Sequence, residues 1–240
     1  MAPEDILSWD LYLYRPGPGH GVRAEKEFIA APRLDDLECV FAAAKAFSGR
    51  ENRENVTVLS LFDNEETGSL TRQGADSPFL SEVLERISLS CGKSREEHLR
   101  AIASGFMLSA DNAHAVHPDS PEKSDPTNRC YLNGGVVVKH SPRYASDALT
   151  AGLFQRICQK AGVPVQVYYN NAKIPGGGTL GNLSGSHVAL PTVDIGLAQL
   201  SMHSPYETAG AKDLDYMVWA MQAFYESVIT QTGREEYAIQ

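Results

Sequence analysis

The order of strand-like and helix-like segments constrains the fold of this chain more than any other feature of its sequence. Short apolar runs rich in β-branched residues alternate with amphipathic segments of helical spacing along the 240 residues. Such alternation is typical of layered α/β folds, in which helices cover the faces of a sheet. We therefore predict an α/β fold, a mixed sheet flanked by helices. No internal repeat or domain linker divides residues 1–240.

The predicted elements follow from periodicity and from turn residues. Strands are expected at residues 10–14, 56–63, 106–110, 135–140, 163–169 and 188–195. Helices are expected at residues 34–47, 78–90, 94–103, from an N-cap at Ser146 to Gly162, and at 213–229. A polar stretch with three prolines, residues 111–129, cannot form a regular element and is expected to be functional or disordered.

Composition excludes several classes of partner. The 30 acidic residues outnumber the 21 basic ones, which argues against nucleic acid, since neutralising phosphates needs a surplus of Lys and Arg. No apolar stretch approaches the ~20 residues of a membrane-spanning helix, and the N-terminus lacks the basic-then-apolar order of a signal peptide. No CxxC pair is present, which predicts reduced thiols and a cytoplasmic location; the cysteines are Cys39, Cys91, Cys130 and Cys158.

Carboxylates and histidines occur in four segments where a strand or a glycine-marked turn is expected to end. In open α/β sheets, the carboxyl ends of strands line the ligand crevice. Each segment alone has an ordinary explanation: a solvated acidic loop, a helix N-cap, or a surface histidine. The candidates are Glu65 and Glu66 in DNEETGS, Asp35 and Asp36 in PRLDDLE, Asp111, His114 and His117 in SADNAHAVHP, and His203 in DIGLAQLSMHS.

Together these residues offer the mixed histidine and carboxylate ligands that suit zinc, manganese or cobalt without any thiolate. The adjacent Glu65 and Glu66 repel each other, so a buried pair needs a cation or a shared proton. One glutamate could bind metal while the other handles protons. Spacing alone does not establish a site for two metals.

Six segments resemble, in order, the aspartyl aminopeptidase family of dinuclear zinc metallopeptidases. The resemblance covers about Asp5 to Ser227, and its landmarks are PRLDDL, FDNEETGS, SADNAHAVHP, GGVVVKHSPRYASDA, GGGTLG and DIGLAQLSMHS. It implies a zinc-exopeptidase layered sandwich, of the phosphorylase/hydrolase-like type, that removes N-terminal residues from peptides. The family name suggests acidic N-terminal residues, whose side chains Lys139 or Arg143 could neutralise, although some members act on neutral residues.

The resemblance also implies a role for individual residues. Asp35 matches the aspartate that bridges two metals, and Glu66 and His203 match the other ligands of one metal. Asp111 matches a ligand of the second metal, and Glu65 matches the general acid and base. The expected substrate-binding residues are Lys139, His114, Gly177 and Gly178.

The chain departs from the family pattern in three respects. Asn64 stands where many members have histidine, and Asp36 where many have asparagine, but neither position is a ligand in the family. Members also carry an N-terminal segment that supplies a histidine to the second metal and an inserted domain used in homo-oligomer assembly. We expect residues 1–240 to be the C-terminal part of the catalytic domain, incomplete in fold. One metal site would be complete, the other would lack its histidine, and the chain alone would be weakly active or inactive.

Two other functions remain open. Gly176, Gly178 and Gly181 form a GxGxxG pattern, with Asp194 on the following strand, as in dinucleotide-binding oxidoreductases. Against that interpretation, NNAKIP separates the glycines from the preceding strand, where a tight turn is needed. The other possibility is a non-catalytic or degenerate fragment that binds one metal or none.

Overall fold

A computed structural model describes residues 2–49, 52, 54–174 and 176–240. The α-helices are α1 (Leu34–Phe47), α2 (Phe79–Ser90), α3 (Arg95–Ala103), α4 (Ala148–Ala161), α5 (Leu180–His187) and α6 (Ala211–Glu226). The strands are β1 (His20–Val22), β2 (Phe28–Ala31), β3 (Met107–Ala110), β4 (Ala113–His114), β5 (Val136–His140), β6 (Val165–Tyr169), β7 (Thr192–Gly196), β8 (Ala198–Leu200), β9 (Glu207–Gly210), β10 (Ile229–Gly233) and β11 (Glu236–Ile239). Short 3-10 helices occupy Pro3–Asp5, Glu65–Thr67 and Pro121–Lys123.

Two mixed sheets organise these elements. The first has the order β3-β7-β5-β6, and the second the order β1-β2-β9-β8-β4. β3 pairs with β7 in parallel, and β4 pairs with β8 in parallel. Because only two residues separate β3 from β4 and one separates β7 from β8, both strand pairs run from the first sheet into the second. Asp111 and Asn112 lie at this junction.

The main core lies between the first sheet and three helices. Val136 and Val138 of β5 pack with Phe154 of α4 and Met217 of α6 in one cluster, which also includes buried residues of α1. Val137, between them on β5, belongs to a second cluster with Tyr168 and Ala198. Because successive residues of a strand face opposite sides, β5 is buried on both faces. The predicted α/β fold with helices flanking a mixed sheet is confirmed.

Helix ends follow the capping chemistry of the sequence. Ser94 caps α3 and Asp147 caps α4, each in a reciprocal capping box. The predicted N-cap at Ser146 is therefore wrong by one residue, because the Ser146 hydroxyl accepts the backbone N–H of Asp194 instead. Gly162 ends α4 in the left-handed conformation as predicted, with φ +69°.

Two predicted strands are absent from the described chain. Residues 10–14 form no regular element, and Leu11 and Leu13 are 84% and 105% exposed, so this apolar run packs against nothing that would fix it. Residues 56–63 also join no ladder: Leu59 packs on the main core, but Val56 is 84% exposed. A strand depends on the backbone of its neighbour, which the pattern of one segment does not reveal.

Other predicted element boundaries differ from the observed ones for local reasons. The strand predicted at 188–195 begins at Thr192, since Pro191 has no N–H for a ladder. The last helix ends at Glu226, and Ile229 begins a hairpin of β10 and β11 instead. The polar stretch 111–129 is ordered around β4 and Pro121–Lys123. Among the described residues, no helix has the length and apolarity needed to cross a bilayer.

Candidate metal centre

Three of the predicted ligands converge on one point. Asp35 opens α1, Glu66 lies on the Glu65–Thr67 turn, and His203 follows β8. His203 Nε2 lies 3.3 Å from Asp35 Oδ2 and 3.0 Å from Glu66 Oε2. One ligand atom from each residue lies within 4.8 Å of the other two. This separation fits a single divalent ion, and one imidazole with two carboxylates is a ligand set that suits zinc.

A second group shares Asp35 with the first. One carboxylate oxygen from each of Asp35, Asp36 and Asp111 lies within 4.8 Å of the others. Asp35 Oδ1 and Asp36 Oδ1 are buried without a hydrogen-bond partner. Buried polar atoms normally have partners, so these oxygens fit a cation or shared protons. The predicted bridging place of Asp35 is consistent with this arrangement.

The carboxylates of the centre raise one another's pKa. Burial, followed by the charges of Asp111 and Glu66, raises the pKa of Asp35 to about 8. Burial, Asp111 and Glu66 also raise the pKa of Glu65 to about 7. Burial likewise raises the pKa of Glu66 and that of Asp36 above their ordinary values. So many acids in a partly buried space favour a cation, whose charge would reverse these shifts.

Lys139 has a different place from the one its predicted role suggests. Its ammonium donates to Asp111 Oδ2 at 3.2 Å and to the backbone oxygen of Asn112 at 2.9 Å, and its side chain is 2% exposed. The first bond directs it at a candidate ligand and the second at the neighbouring backbone, not at open space. A buried lysine in this position is poorly placed to neutralise an acidic substrate side chain.

The remaining predicted substrate residues lie on β4 and in the loop before α5. His114 lies on β4, and burial together with the charges of His203 and Lys139 lowers its pKa. Gly177 and Gly178 lie in the loop before α5, with open space within 4 Å of where a Cβ would stand. His117 accepts the backbone N–H of Asp119, which gives it a local structural contact.

Two further acidic residues lie close to the predicted ligands. Asp36 occupies a position that is not a ligand in the family, and its carboxylate lies near those of Asp35 and Asp111. Glu207 was not singled out; it is 2% exposed and accepts the backbone N–H groups of Asp35 and His203. The one sequence signal was its place four residues after His203.

The glycine loop does not have the geometry of a dinucleotide site. Six residues, 170–175, separate the end of β6 from Gly176, and the fingerprint needs a tight turn there. Asp194 is fully buried, and its carboxylate accepts the Thr179 hydroxyl at 2.6 Å and the backbone N–H of Ala145. It is thus unavailable to a ribose.

The layered fold and the cluster of acids and histidine together define the class of α/β metalloproteins. A family model described as "Aminopeptidase I zinc metalloprotease (M18)" matches residues 1–225. A probable M18 family aminopeptidase 2 of Clostridium acetobutylicum is 44% identical over 224 residues, which is 92% of this chain and 52% of that protein. The chain therefore belongs to the M18 family of zinc aminopeptidases, as its motifs predicted.

Solved structures agree with this family. The mApe1 dodecamer of S. cerevisiae has a TM-score of 0.76 and 32% identity, covering 87% of this chain and 48% of that one. An M18 aminopeptidase from Thermotoga maritima has a TM-score of 0.79 and 25% identity, with 87% and 48% covered. The chain spans about half the length of the curated relatives it matches.

Proposed function

We propose that this chain carries the metal-binding and catalytic residues of an aminopeptidase that removes N-terminal residues from peptides. The observation that supports this most is the convergence of Asp35, Glu66 and His203, with Glu65 beside them, in a member of the M18 family. Zinc is the ion named in the family description, and manganese and cobalt suit the same ligands.

Asp35, Glu66 and His203 would hold one ion, and Asp35 with Asp111 would hold part of a second site. A bound divalent ion supplies Lewis acidity toward a carbonyl oxygen and makes water a stronger acid. Asp36 adds a third carboxylate to the second group, where the family pattern calls for a histidine from elsewhere. That group has oxygen ligands only, so we expect it to bind zinc less tightly than the first.

Glu65 would transfer the proton. Glu65 lies on the same Glu65–Thr67 turn as the ligand Glu66, so its carboxylate would be placed to accept a proton from the attacking water and later release it to the leaving amine. Glu66, next to it in the sequence, would remain a metal ligand because its Oε2 lies 3.0 Å from Nε2 of the ligand His203. The two adjacent glutamates would thus divide the work of proton transfer and metal binding.

Substrate selection would involve residues around the glycine loop. Arg143 is exposed and donates from Nη1 to the backbone oxygen of Gly176 at 3.0 Å, which brings a cation to the edge of this loop. We propose acidic N-terminal residues as the preferred substrates, with Arg143 rather than the buried Lys139 as the positive charge. His114, Gly177 and Gly178 would contact the peptide.

We propose that residues 1–240 correspond to the C-terminal part of the relatives' catalytic domain, and that alone they bind one zinc ion and hydrolyse peptides weakly. The competing hypothesis is a non-catalytic, metal-binding fragment. The two differ in whether adding the part of a relative that lies outside the aligned region produces hydrolysis.

The test measures zinc content and hydrolysis of N-terminal Asp, Glu and Leu peptides. The chain is assayed alone and with the part of the Clostridium acetobutylicum relative that lies outside the aligned region. We expect zinc in the wild type, in Glu65→Gln and in the control variant. With the added segment, hydrolysis is expected in the wild type and the control but not in Glu65→Gln. Glu96→Gln, an exposed change on α3, serves as control. Zinc lost in Glu65→Gln would contradict the assigned division between the glutamates, and zinc without hydrolysis in any mixture would favour the non-catalytic fragment.

A further inference from the structure

Glu207 is a buried carboxylate with two backbone partners. It lies at the start of β9, is 2% exposed, and forms no ion pair with any residue in the described ranges. Its Oε2 accepts the N–H of Asp35 at 2.9 Å, and its Oε1 accepts the N–H of His203 at 2.8 Å. Both oxygens are therefore directed at residues whose side chains meet at the candidate metal centre.

These two N–H groups need such a partner. Asp35 lies in the first turn of α1, where the backbone N–H groups have no partner inside the helix. His203 has a φ of +66° and lies in the turn between β8 and β9. Its backbone is not part of the ladder between these two strands. One side chain thus fixes two irregular backbone positions, 172 and 4 residues away along the chain.

The base of this side chain is itself fixed. Glu207 pairs with Ala31, the last residue of β2, in an antiparallel ladder. β2 leads through three residues into Asp35, and β9 follows the turn that holds His203. The carboxylate therefore anchors both ligand segments to the same rigid pair of strands, β2 and β9.

We propose that Glu207 is a positioning residue, which holds Asp35 and His203 at the separation that metal binding requires. This inference rests on the proposed metal site. Glu207 is in neither group of clustered ligand atoms found among the described residues; it acts through the backbone of Asp35 and His203, whose side-chain atoms lie 3.3 Å apart. Partners that orient metal ligands commonly contribute 10–100-fold to metal affinity.

The chemistry explains why a carboxylate is needed. Each N–H donor meets a different oxygen of Glu207, and an ionised carboxylate offers an acceptor at both positions with no donor at either. In Glu207→Gln one oxygen becomes an NH2 group that would face a backbone N–H. One of the two segments would then lose its contact while side-chain volume stays almost unchanged.

Asp213→Asn is a matched control. Asp213 is also fully buried and also accepts two backbone N–H groups, but these belong to Asn133 and Gly135, neither of which is a candidate ligand. Both variants replace a buried carboxylate by an amide, so both should lower the melting temperature. Only Glu207→Gln should alter the metal centre.

The experiment measures zinc affinity of the full chain by chelator competition and the visible spectrum of the chain loaded with Co²⁺. We expect Glu207→Gln to weaken zinc binding by about 10–100-fold and to shift the cobalt bands, with Asp213→Asn unchanged in both. Equal affinity and spectra in wild type and Glu207→Gln would overturn the proposal, as would the same loss in Asp213→Asn. If the wild type binds no zinc, the proposed function itself fails.

A measurement on the wild type covers the case in which Glu207→Gln does not fold. Amide hydrogen exchange of the metal-free chain should show Asp35 and His203 protected, since both N–H groups are bonded to a buried acceptor. Free exchange at either amide would refute the positioning role.

Discussion

Lys139 Nζ lies 3.2 Å from Asp111 Oδ2, with the two side chains only 2% and 13% exposed. Burial acts to lower the pKa of Lys139, but the charge of Asp111, followed by Tyr144 and Asp194, raises it above its ordinary value. The lysine therefore remains a cation inside the protein. It joins β5 to the junction between the two sheets and balances part of the negative charge of the metal centre.

Lys139→Met should strongly destabilise the fold. The substitution keeps an unbranched side chain but leaves Asp111 without its cation, and breaking a buried ion pair in this way costs about 3–5 kcal/mol. The free energy of unfolding, measured by urea denaturation, should fall by that order. Lys45→Met, an exposed change on α1, should alter it by less than about 0.5 kcal/mol. Equal stability of the two variants would show that the Lys139 pair contributes nothing.

Glu38 should make stability depend on pH. It is 5% exposed on α1, and burial raises its pKa to about 8 from an ordinary value of 4.5. Below pH 4.5 the group is protonated in both the folded and unfolded chain. Between pH 4.5 and 8 the unfolded chain releases the proton first, so this stabilising contribution is lost as pH rises, at up to about 1.4 kcal/mol per pH unit.

Glu38→Gln removes the ionisable group and should flatten this part of the curve. The measurement is the free energy of unfolding at intervals from pH 5 to 8, compared with wild type and with the exposed control Glu96→Gln. Other buried acids contribute to the wild-type slope, so the difference between Glu38→Gln and wild type isolates Glu38. Parallel curves for these two would show that Glu38 is not buried as a neutral acid.

Asp194→Asn should loosen the two loops that the Asp194 carboxylate joins. The carboxylate accepts the Thr179 hydroxyl from the glycine loop and the backbone N–H of Ala145 from the segment before α4. An amide can accept only one of them and leaves a buried donor, at a cost of about 1–3 kcal/mol. Limited proteolysis should cut the variant faster in these loops than Asp213→Asn; identical cleavage would contradict the linking role.

Much of this fold could be predicted because its strongest signals are local. The run of valines in β5 and the Gly162 cap depend on the residues themselves, and both are found where expected. The cluster of Asp35, Glu66 and His203 came from ordered family motifs, since spacing cannot show that residues 137 positions apart meet (66 to 203). Family patterns carry distance information that periodicity lacks.

The rest depended on contacts that no local pattern encodes. Glu207 reads as an ordinary strand residue, and only its two backbone partners reveal its place. Residues 56–63 have the composition of a buried strand, but a ladder needs a second backbone, and none pairs with them in the described chain. Lys139 is predicted to lie near the substrate site, and its burial against Asp111 is a contact that the sequence does not show.

Gly196 should tolerate no side chain, because the ladder at the sheet junction leaves no room for one. A Cβ there would stand 2.0 Å from the backbone oxygen of Asp111. This is closer than real Cβ atoms come to any such neighbour. Gly196→Ala must push β7 away from the segment that carries Asp111, at about 1–3 kcal/mol. Zinc binding should weaken only through the second group of carboxylates, since Glu66 and His203 are untouched.

Gly152→Ala is the matched comparison, and its expected effect on stability has the opposite sign. Gly152 lies within α4, with nothing within 4 Å of the added Cβ, and alanine favours a helix interior over glycine by up to about 1 kcal/mol. Thermal denaturation should therefore show a lower melting temperature for Gly196→Ala and an unchanged or higher one for Gly152→Ala. A Gly196→Ala variant as stable as the wild type would contradict the close approach of β7 to the backbone of Asp111.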